Sequence, residues 1–114
     1  MAGTDARQMA DYLANDDVVY GATQIFDALS DFTRFQILGI LTLGEKSVSE
    51  LQLACSVSQS AISHQLRLLR DRGLVAARRE GQRVIYRRAD EHVTTLSHVG
   101  LEHAAEPAHE HGEE

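Results

Sequence analysis

The segment Ser47–Gly73, SVSELQLACSVSQSAISHQLRLLRDRG, decides the fold of this chain. It begins with a serine and a glutamate three residues apart, Ser47 and Glu50, each able to satisfy the free backbone amide of the other. This capping box predicts a short helix over 48–54. Ser58 predicts the start of a second helix, which ends at the glycine closing the segment. Because only a short break separates the two helices, the segment predicts a helix-turn-helix.

The second helix of this motif has an apolar side and a polar side. Ile62, Leu66 and Leu69 recur at helical spacing and predict the buried side. The opposite side carries polar residues suited to base edges or phosphates in a major groove, which are Gln59, Ser60, Ser63, His64 and Arg67. Most amphipathic helices have such a polar face, but the short turn before this helix, the hairpin predicted after it and arginines on both favour a DNA-reading helix.

The residues after this helix predict a β-hairpin and then a last helix. Val75–Arg79 and Arg83–Arg87 carry β-branched and aromatic residues around Glu80-Gly81-Gln82, where glycine favours a tight turn. Four side chains near the turn can reach a flanking minor groove or its phosphates, as a wing does, and these are Arg78, Arg79, Gln82 and Arg83. Asp90 predicts the start of the last helix.

Two further helices are predicted before the helix-turn-helix. Asp16 and Asp17 precede apolar residues at helical spacing, and acidic side chains favour a helix start. Asp31 can cap the next helix, which ends at Gly44. With the hairpin, these elements predict a mainly α fold with a β-hairpin wing (α+β), that is, a winged helix-turn-helix.

The length of 114 residues allows one compact domain. Residues 16–106 are predicted to form it, 1–15 are predicted as an N-terminal extension or loose helix, and 107–114 as a flexible tail rich in histidine and glutamate. No apolar run of about 18 residues occurs, and charged residues interrupt the N-terminus, so no membrane span or signal peptide is predicted. We expect a cytoplasmic protein with no membrane partner and no small organic substrate.

Charge is distributed unevenly along the chain. The formal net charge is -6, which by itself argues against a nucleic-acid partner. Residues 58–88, however, contain eight arginines and only two acidic residues. A basic block inside an acidic chain indicates a localised DNA face, although a solvated arginine-rich surface would have the same composition.

Three stretches resemble the ArsR/SmtB family of metal-responsive repressors, namely 28–38 (ALSDFTRFQIL), 58–67 (SQSAISHQLR), and 73–75 followed by 79–82. The resemblance covers roughly residues 18–106, and its second stretch is quite specific. It implies an elongated homodimer paired through its first and last helices, a double-stranded operator DNA as partner, and no enzymatic activity. Phe32 is a small departure, because the family commonly has proline there.

The last helix carries four residues that suit a divalent transition metal, Asp90, His92, His103 and Glu106. The two histidines are eleven residues apart, so they point the same way, but roughly 16 Å separates them along a helix. One helix therefore cannot close the site. If the last helices of two subunits run antiparallel, each end of one meets the opposite end of the other, giving two symmetric sites in a C2 dimer.

The resemblance also suggests which metal acts as effector. Aspartate-x-histidine followed after ten residues by histidine-x-x-acid is the pattern of the zinc sensors of the family, so Zn(II) is favoured. Ni(II) or Co(II) is a close second, because His98, His109 and His111 could add donors for six-coordination. Ser47 and Ser49 replace the cysteines of arsenic, cadmium and lead sensors, which argues against those inducers.

In relatives, the second ring nitrogen of a metal-bound histidine contacts the turn after the recognition helix. By position, the carbonyl of Gly73 would be the acceptor in this chain, which makes it the expected allosteric relay.

Other functions compete with this interpretation. A redox-responsive regulator acting through Cys55 would lack a resolving partner, because the chain contains one cysteine. A metal-dependent hydrolase would need a general base and oxyanion donors that no motif supplies. Among regulators, a nickel-dependent activator is the alternative to a repressor.

Overall fold

The computed structural model describes residues 5–107, which form six helices and three short strands. In chain order the elements are α1 (Ala6–Leu13), α2 (Asp16–Leu29), α3 (Phe32–Leu41), β1 (Lys46–Ser47), α4 (Val48–Cys55), α5 (Gln59–Asp71), β2 (Val75–Glu80), β3 (Arg83–Arg88) and α6 (Glu91–Ala105). The predicted winged helix-turn-helix is confirmed: α4 and α5 are the paired helices, and β2 with β3 is the wing.

Polar side chains set the helix starts where the sequence places them. Ser47 and Glu50 form the predicted capping box, with Glu50 Oε1 accepting from the Ser47 amide at 2.7 Å. Ser58 accepts from the amide of Ala61, and Asp31 accepts from that of Arg34. These bonds satisfy amides that the first helical turn leaves unpaired, so each helix has a defined first residue.

The break between α4 and α5 depends on one unusual backbone conformation. Ser56 has φ 55°, in the left-handed region that few residues other than glycine adopt. Its amide donates to the carbonyl of Gln52 at 3.0 Å, which closes the end of α4. The chain then turns into α5 within three residues, which sets the two helices at an angle to each other.

Helix α3 lies at the centre of the core. Ile37, Leu38 and Leu41 are buried on it, and the helix packs against α2, α4, α5, α6 and β3. The predicted apolar side of α5 is confirmed, because Ile62, Leu66 and Leu69 are all buried. The core therefore fixes the rotation of α5 about its own axis.

The sheet contains one strand that the sequence analysis missed. The strand order is β1-β3-β2, all antiparallel, and Lys46 and Ser47 pair with Tyr86 and Ile85. Two residues are too few to produce an alternating pattern, so β1 has no signal of its own. The hairpin turn is the predicted one: Glu80 pairs with Arg83, and Gly81 has φ 65° at the first central position.

Helix α1 falls within the segment predicted as an extension or loose helix. Asp5 caps it, and none of its residues is buried. It contacts α2, and it presents Met9, Tyr12 and Leu13 to solvent. Between residues 5 and 107, no helix combines the length and the apolar character needed to cross a membrane.

Candidate nucleic-acid interface and sensor helix

The recognition helix and the wing meet in one groove. Gln59 and Ser63 of α5 line it from one side, and Gln82 and Arg83 of the hairpin line it from the other. Four of the residues predicted to contact DNA therefore share one surface. Polar donors from a helix and from a hairpin on one surface can contact a major groove and the adjacent backbone together.

The outer side of α5 is open to solvent along its length. Gln59, Ser60, His64 and Arg67 are exposed, and Ser63 is half-buried. Ser60 Oγ lies 3.3 Å from Ser58 Oγ, next to the cap of the helix. The polar side that the sequence predicted is therefore free to approach DNA.

Helix α4 contributes to the same groove, which the sequence analysis did not anticipate. Ser49 and Gln52 line it together with Ser47. Ser49 and Gln52 are three residues apart, so they share a helical face, and this spacing was the signal that could have identified them.

The two neighbouring wing arginines face opposite ways. Side chains alternate along a strand, so Arg78 and Arg79 of β2 lie on different faces of the hairpin. Arg78 donates to Glu45 at 2.7 Å and to Glu80 at 2.9 Å, and these bonds, to Glu80 first and to Glu45 second, raise the pKa of Arg78. DNA contact by Arg78 stays a prediction, and it would have to compete with two carboxylates.

Arg83 interacts only weakly with its acidic neighbour, Glu50. Its guanidinium lies 3.9 Å from Glu50 Oε1, and both side chains are exposed. Hydrogen bonds from the backbone and the side chain of Ser47 hold the pKa of Glu50 below its ordinary value, with a smaller contribution from Arg83. Solvent screens an exposed pair at this separation, so Arg83 can exchange it for a phosphate at little cost.

The start of α6 brings two of the predicted metal ligands together. Asp90 is the N-cap and accepts from the amide of His92 at 2.9 Å. Its Oδ1 also lies 3.4 Å from Nδ1 of His92, and these side chains are 61% and 92% exposed. This pair of oxygen and nitrogen donors faces solvent.

The other two predicted ligands lie at the opposite end of α6. His103 is in the last turn, and Glu106 is the C-cap. Within residues 5–107, no three side chains of histidine, cysteine, aspartate or glutamate lie close enough together to hold a metal ion. The four predicted ligands of one chain thus remain as two separate pairs.

The additional donors have different positions. His98 lies on α6, where its Nε2 is 3.7 Å from Glu102 Oε1. His109 and His111 fall outside the described residues.

Cys55 is only 8% exposed, and burial raises the pKa of its thiol, which disfavours the reactive thiolate that a redox sensor requires.

The turn after α5 connects the recognition helix to the start of α6. Gly73 has φ 73°, and the amide of Leu74 donates to the carbonyl of Leu69 at 3.0 Å. The carbonyl of Leu74 in turn accepts from the amide of Ala89, also at 3.0 Å. The sequence did not predict this hydrogen-bonded path from Leu69 through Leu74 to Ala89, the residue before Asp90. The relay through Gly73 to His103 stays a prediction.

Several large apolar side chains remain exposed on helices that the DNA groove does not use. They are Met9, Tyr12 and Leu13 on α1, Val18, Tyr20 and Phe26 on α2, Phe32 on α3, and Val99 and Leu101 on α6, while Leu43 and Leu53 are exposed outside this group. Exposed apolar groups concentrated on a few elements are typical of an interaction surface.

The comparisons with known proteins agree with this architecture. Residues 31–77 match the family model described as bacterial regulatory protein, arsR family. The chain is 38% identical over 100 residues to a transcriptional repressor SmtB homolog from a Synechocystis species, covering 88% of this chain and 76% of that protein. It is 40% identical over 86 residues to a cadmium resistance transcriptional regulatory protein CadC homolog from Staphylococcus aureus, covering 75% and 71%.

A solved structure extends the likeness to the whole fold. The solution structure of a homodimeric winged helix-turn-helix DNA-binding domain from Mycobacterium bovis matches with a TM-score of 0.74 and 32% identity. The match covers 100% of this chain and 99% of that one. Family and fold are those of DNA-binding transcriptional regulators and not of enzymes. This chain belongs to the ArsR/SmtB family of bacterial transcriptional regulators.

Proposed function

We propose that this protein is a cytoplasmic repressor that binds operator DNA as a homodimer and releases it when a divalent transition metal binds between the subunits. The observation that carries the proposal is the division of the ligand set on α6. Asp90 and His92 are adjacent at its start, while His103 and Glu106 lie at its end. A helix of 15 residues is about 22 Å long, so the two pairs meet only across two chains.

The donors fit a transition metal in kind and in spacing. Two ligand atoms at about 2.0–2.1 Å from a tetrahedral zinc ion lie about 3.4 Å apart. Asp90 Oδ1 and His92 Nδ1 have this separation without any rearrangement of the helix start. Nitrogen and oxygen donors favour zinc, with nickel or cobalt as the next choice. For nickel or cobalt, His98, His109 or His111 would supply the extra donors.

Soft metals are disfavoured by the chemistry of the α4 start. Ser47 accepts from the amide of Glu50 in the capping box, so its hydroxyl has a structural partner. A serine hydroxyl does not replace a thiolate for a soft cation. The Staphylococcus aureus relative is named for cadmium resistance, but this chain has hydroxyls at Ser47 and Ser49 and no thiolates there.

Dimerisation is supported by the exposed apolar surface on α1, α2 and α6. Burying it against a second copy would remove these side chains from water, and a C2 axis perpendicular to α6 would set the two α6 helices antiparallel. The related Mycobacterium bovis domain is a homodimer. In such a dimer the two α5 helices would enter half-sites about one helical turn of DNA apart.

A bound metal would supply coordination bonds that hold the two ends of α6 from different chains together. The response of the DNA-reading elements then depends on this chain's own contacts. Ala89, directly before Asp90, donates to Leu74 in the turn after α5, and Arg88 donates to Thr94 of α6 at 2.8 Å. A shift of the α6 start would therefore reach both the recognition helix and the wing strand. It would lower DNA affinity if it favours a separation of the two α5 helices that does not match the half-sites.

The test is a DNA titration at fixed salt, with and without zinc or nickel, using a duplex selected from a randomised library by the wild-type protein. We expect zinc to weaken binding of the wild type, and we expect His103→Ala to bind DNA normally without responding to zinc. His98→Ala is the matched control and should keep the zinc response. An unchanged zinc response in His103→Ala would refute the site, and tighter binding with metal would reverse the proposed direction of regulation.

A further inference from the structure

Arg34 lies where three helices meet. It is in the first turn of α3, and its Nε donates to the carbonyl of Ala28 at 2.9 Å, while Nη2 reaches that of Asp27 at 3.5 Å. Both carbonyls belong to the last turn of α2. The Asp27 carbonyl also accepts from the amide of Ser30 at 3.1 Å and from its hydroxyl at 2.7 Å, so the main contribution of Arg34 is the bond to Ala28. A cation at this end also complements the helix dipole, so Arg34 stabilises the end of α2.

The same guanidinium also holds the recognition helix. Its Nη1 donates to Oε1 of Gln65 at 3.0 Å, a contact between residues 31 positions apart in sequence. Gln65 follows His64 on α5 and is half-buried. Leu68 on the next turn of α5 and Arg72 at its C-cap line a small cavity together with Arg34 and the end of α2. One planar group thus bridges α2 and α5.

We propose that Arg34 is a positioning residue that couples the subunit interface to DNA reading through Gln65. The inference rests on the proposed function, because α2 carries part of the surface assigned to dimerisation. The buried leucines and isoleucine of α5 set which side faces outward, but apolar contacts are not directional. The guanidinium fork is rigid and directional, so it sets the position of α5 relative to the end of α2.

This arrangement matters because a dimer reads two half-sites at once. The distance and angle between the two α5 helices must match the DNA, and they follow from how each α5 is held on its own α2. Loosening that connection should weaken binding to the matching sequence more than binding to unrelated DNA, which depends mainly on phosphate contacts.

The test compares Arg34→Lys, Gln65→Met and the double variant with the wild type. Lysine retains the charge at the end of α2 but lacks the fork, and Gln65→Met leaves the contacts of Arg34 with α2 in place. Gln36→Met, on α3, is the control for replacing a half-buried glutamine. The readout is the ratio of affinities for the duplex selected by the wild type and for a scrambled duplex, which a partial loss of folded protein does not change.

We expect each single variant to lower this ratio about tenfold, as for loss of a hydrogen bond to a charged group, and the double variant to lower it no further. Circular dichroism and light scattering should give wild-type helix content and dimer mass. A ratio that stays at the wild-type value in Gln65→Met overturns the inference and leaves Arg34 as a cap of α2. Failure of the wild type to prefer any duplex would instead overturn the proposed function.

Discussion

The DNA groove and the sensor helix differ in how much of each site one chain contains. Gln59 and Ser63 of α5 share a groove with Gln82 and Arg83 of the wing, so this surface is assembled by one chain. On α6 the predicted ligands stay in two pairs at opposite ends. One chain therefore contains a complete DNA-contacting groove, whereas the proposed metal site needs two chains. Metal binding can then act on how the two grooves of a dimer are placed relative to each other.

The largest expected effect comes from separating the two ligand pairs onto different chains. Asp90→Ala/His92→Ala and His103→Ala/Glu106→Ala should each lose at least about a hundredfold in zinc affinity as homodimers, because even outer partners of ligands cost 10–100-fold. Mixed heterodimers should recover one tight site, since one unaltered pair from each chain then meets. Competition with a chromogenic chelator measures the affinity.

The mixture also tests the alternative of a site within one chain. If both pairs served a site formed by a single subunit, mixing the two variants would restore nothing. A heterodimer with no tight site would therefore contradict the proposal that the metal site, unlike the DNA groove, is shared between two chains. Homodimers of the wild type, mixed in the same way, are the control for subunit exchange.

A smaller effect is expected on the groove side, from the two wing arginines with different acidic neighbours. Arg83→Ala should weaken DNA binding about tenfold at low salt and reduce the slope of log affinity against log salt by about one, as loss of one phosphate contact does. Arg78→Ala should cost about twofold, because Glu45 and Glu80 already hold its guanidinium. Fluorescence anisotropy over a salt series measures both. Equal losses would contradict the assignment of Arg78 to the carboxylates.

On the inner side of α6, one substitution should raise stability. Ser97 is 2% exposed, and its Oγ has no hydrogen-bond partner among residues 5–107. Ser97→Ala should raise the free energy of unfolding by about 1 kcal/mol, because a buried hydroxyl without a partner pays its desolvation cost in full. Thr95→Ala, on the exposed side of the same helix, controls for helix propensity. Urea unfolding at fixed protein concentration is the measurement, and a loss of stability in Ser97→Ala would mean that the hydroxyl is bonded.

The smallest effect concerns acid stability at the capping box beside the groove. The bonds from Ser47 lower the pKa of Glu50 in the folded chain, from an ordinary value of 4.5. A carboxyl with a lowered folded pKa stabilises the protein above its unfolded pKa, and this contribution is lost as the pH falls through the folded value. Glu50→Gln keeps the cap geometry without the charge. Its melting temperature should therefore fall less steeply below about pH 4.5 than that of the wild type, and parallel curves would contradict the prediction.

The sequence predicted most of the fold because most of its signals are local. The capping box, the caps at Asp31 and Ser58, and the apolar side of α5 each involve residues within one or two helical turns. The glycine turn of the wing is equally local. Of the proposed site, the groove residues of α5 and the wing were identified in advance, and Ser49 and Gln52 of α4 were not.

What the chain determines by itself is therefore the set of helices, the hairpin, the exposed and buried sides, and the spacing of donors along α6. Only the tertiary structure decided that β1 joins the sheet, that Arg78 binds Glu45, and that Arg34 bridges α2 and Gln65. The pairing of β1 with β3, the Arg78–Glu45 bond and the Arg34–Gln65 bond join residues about thirty or more positions apart. Periodicity describes the direction of a side chain from its own helix or strand, whereas the partner it meets depends on how separate elements pack around α3.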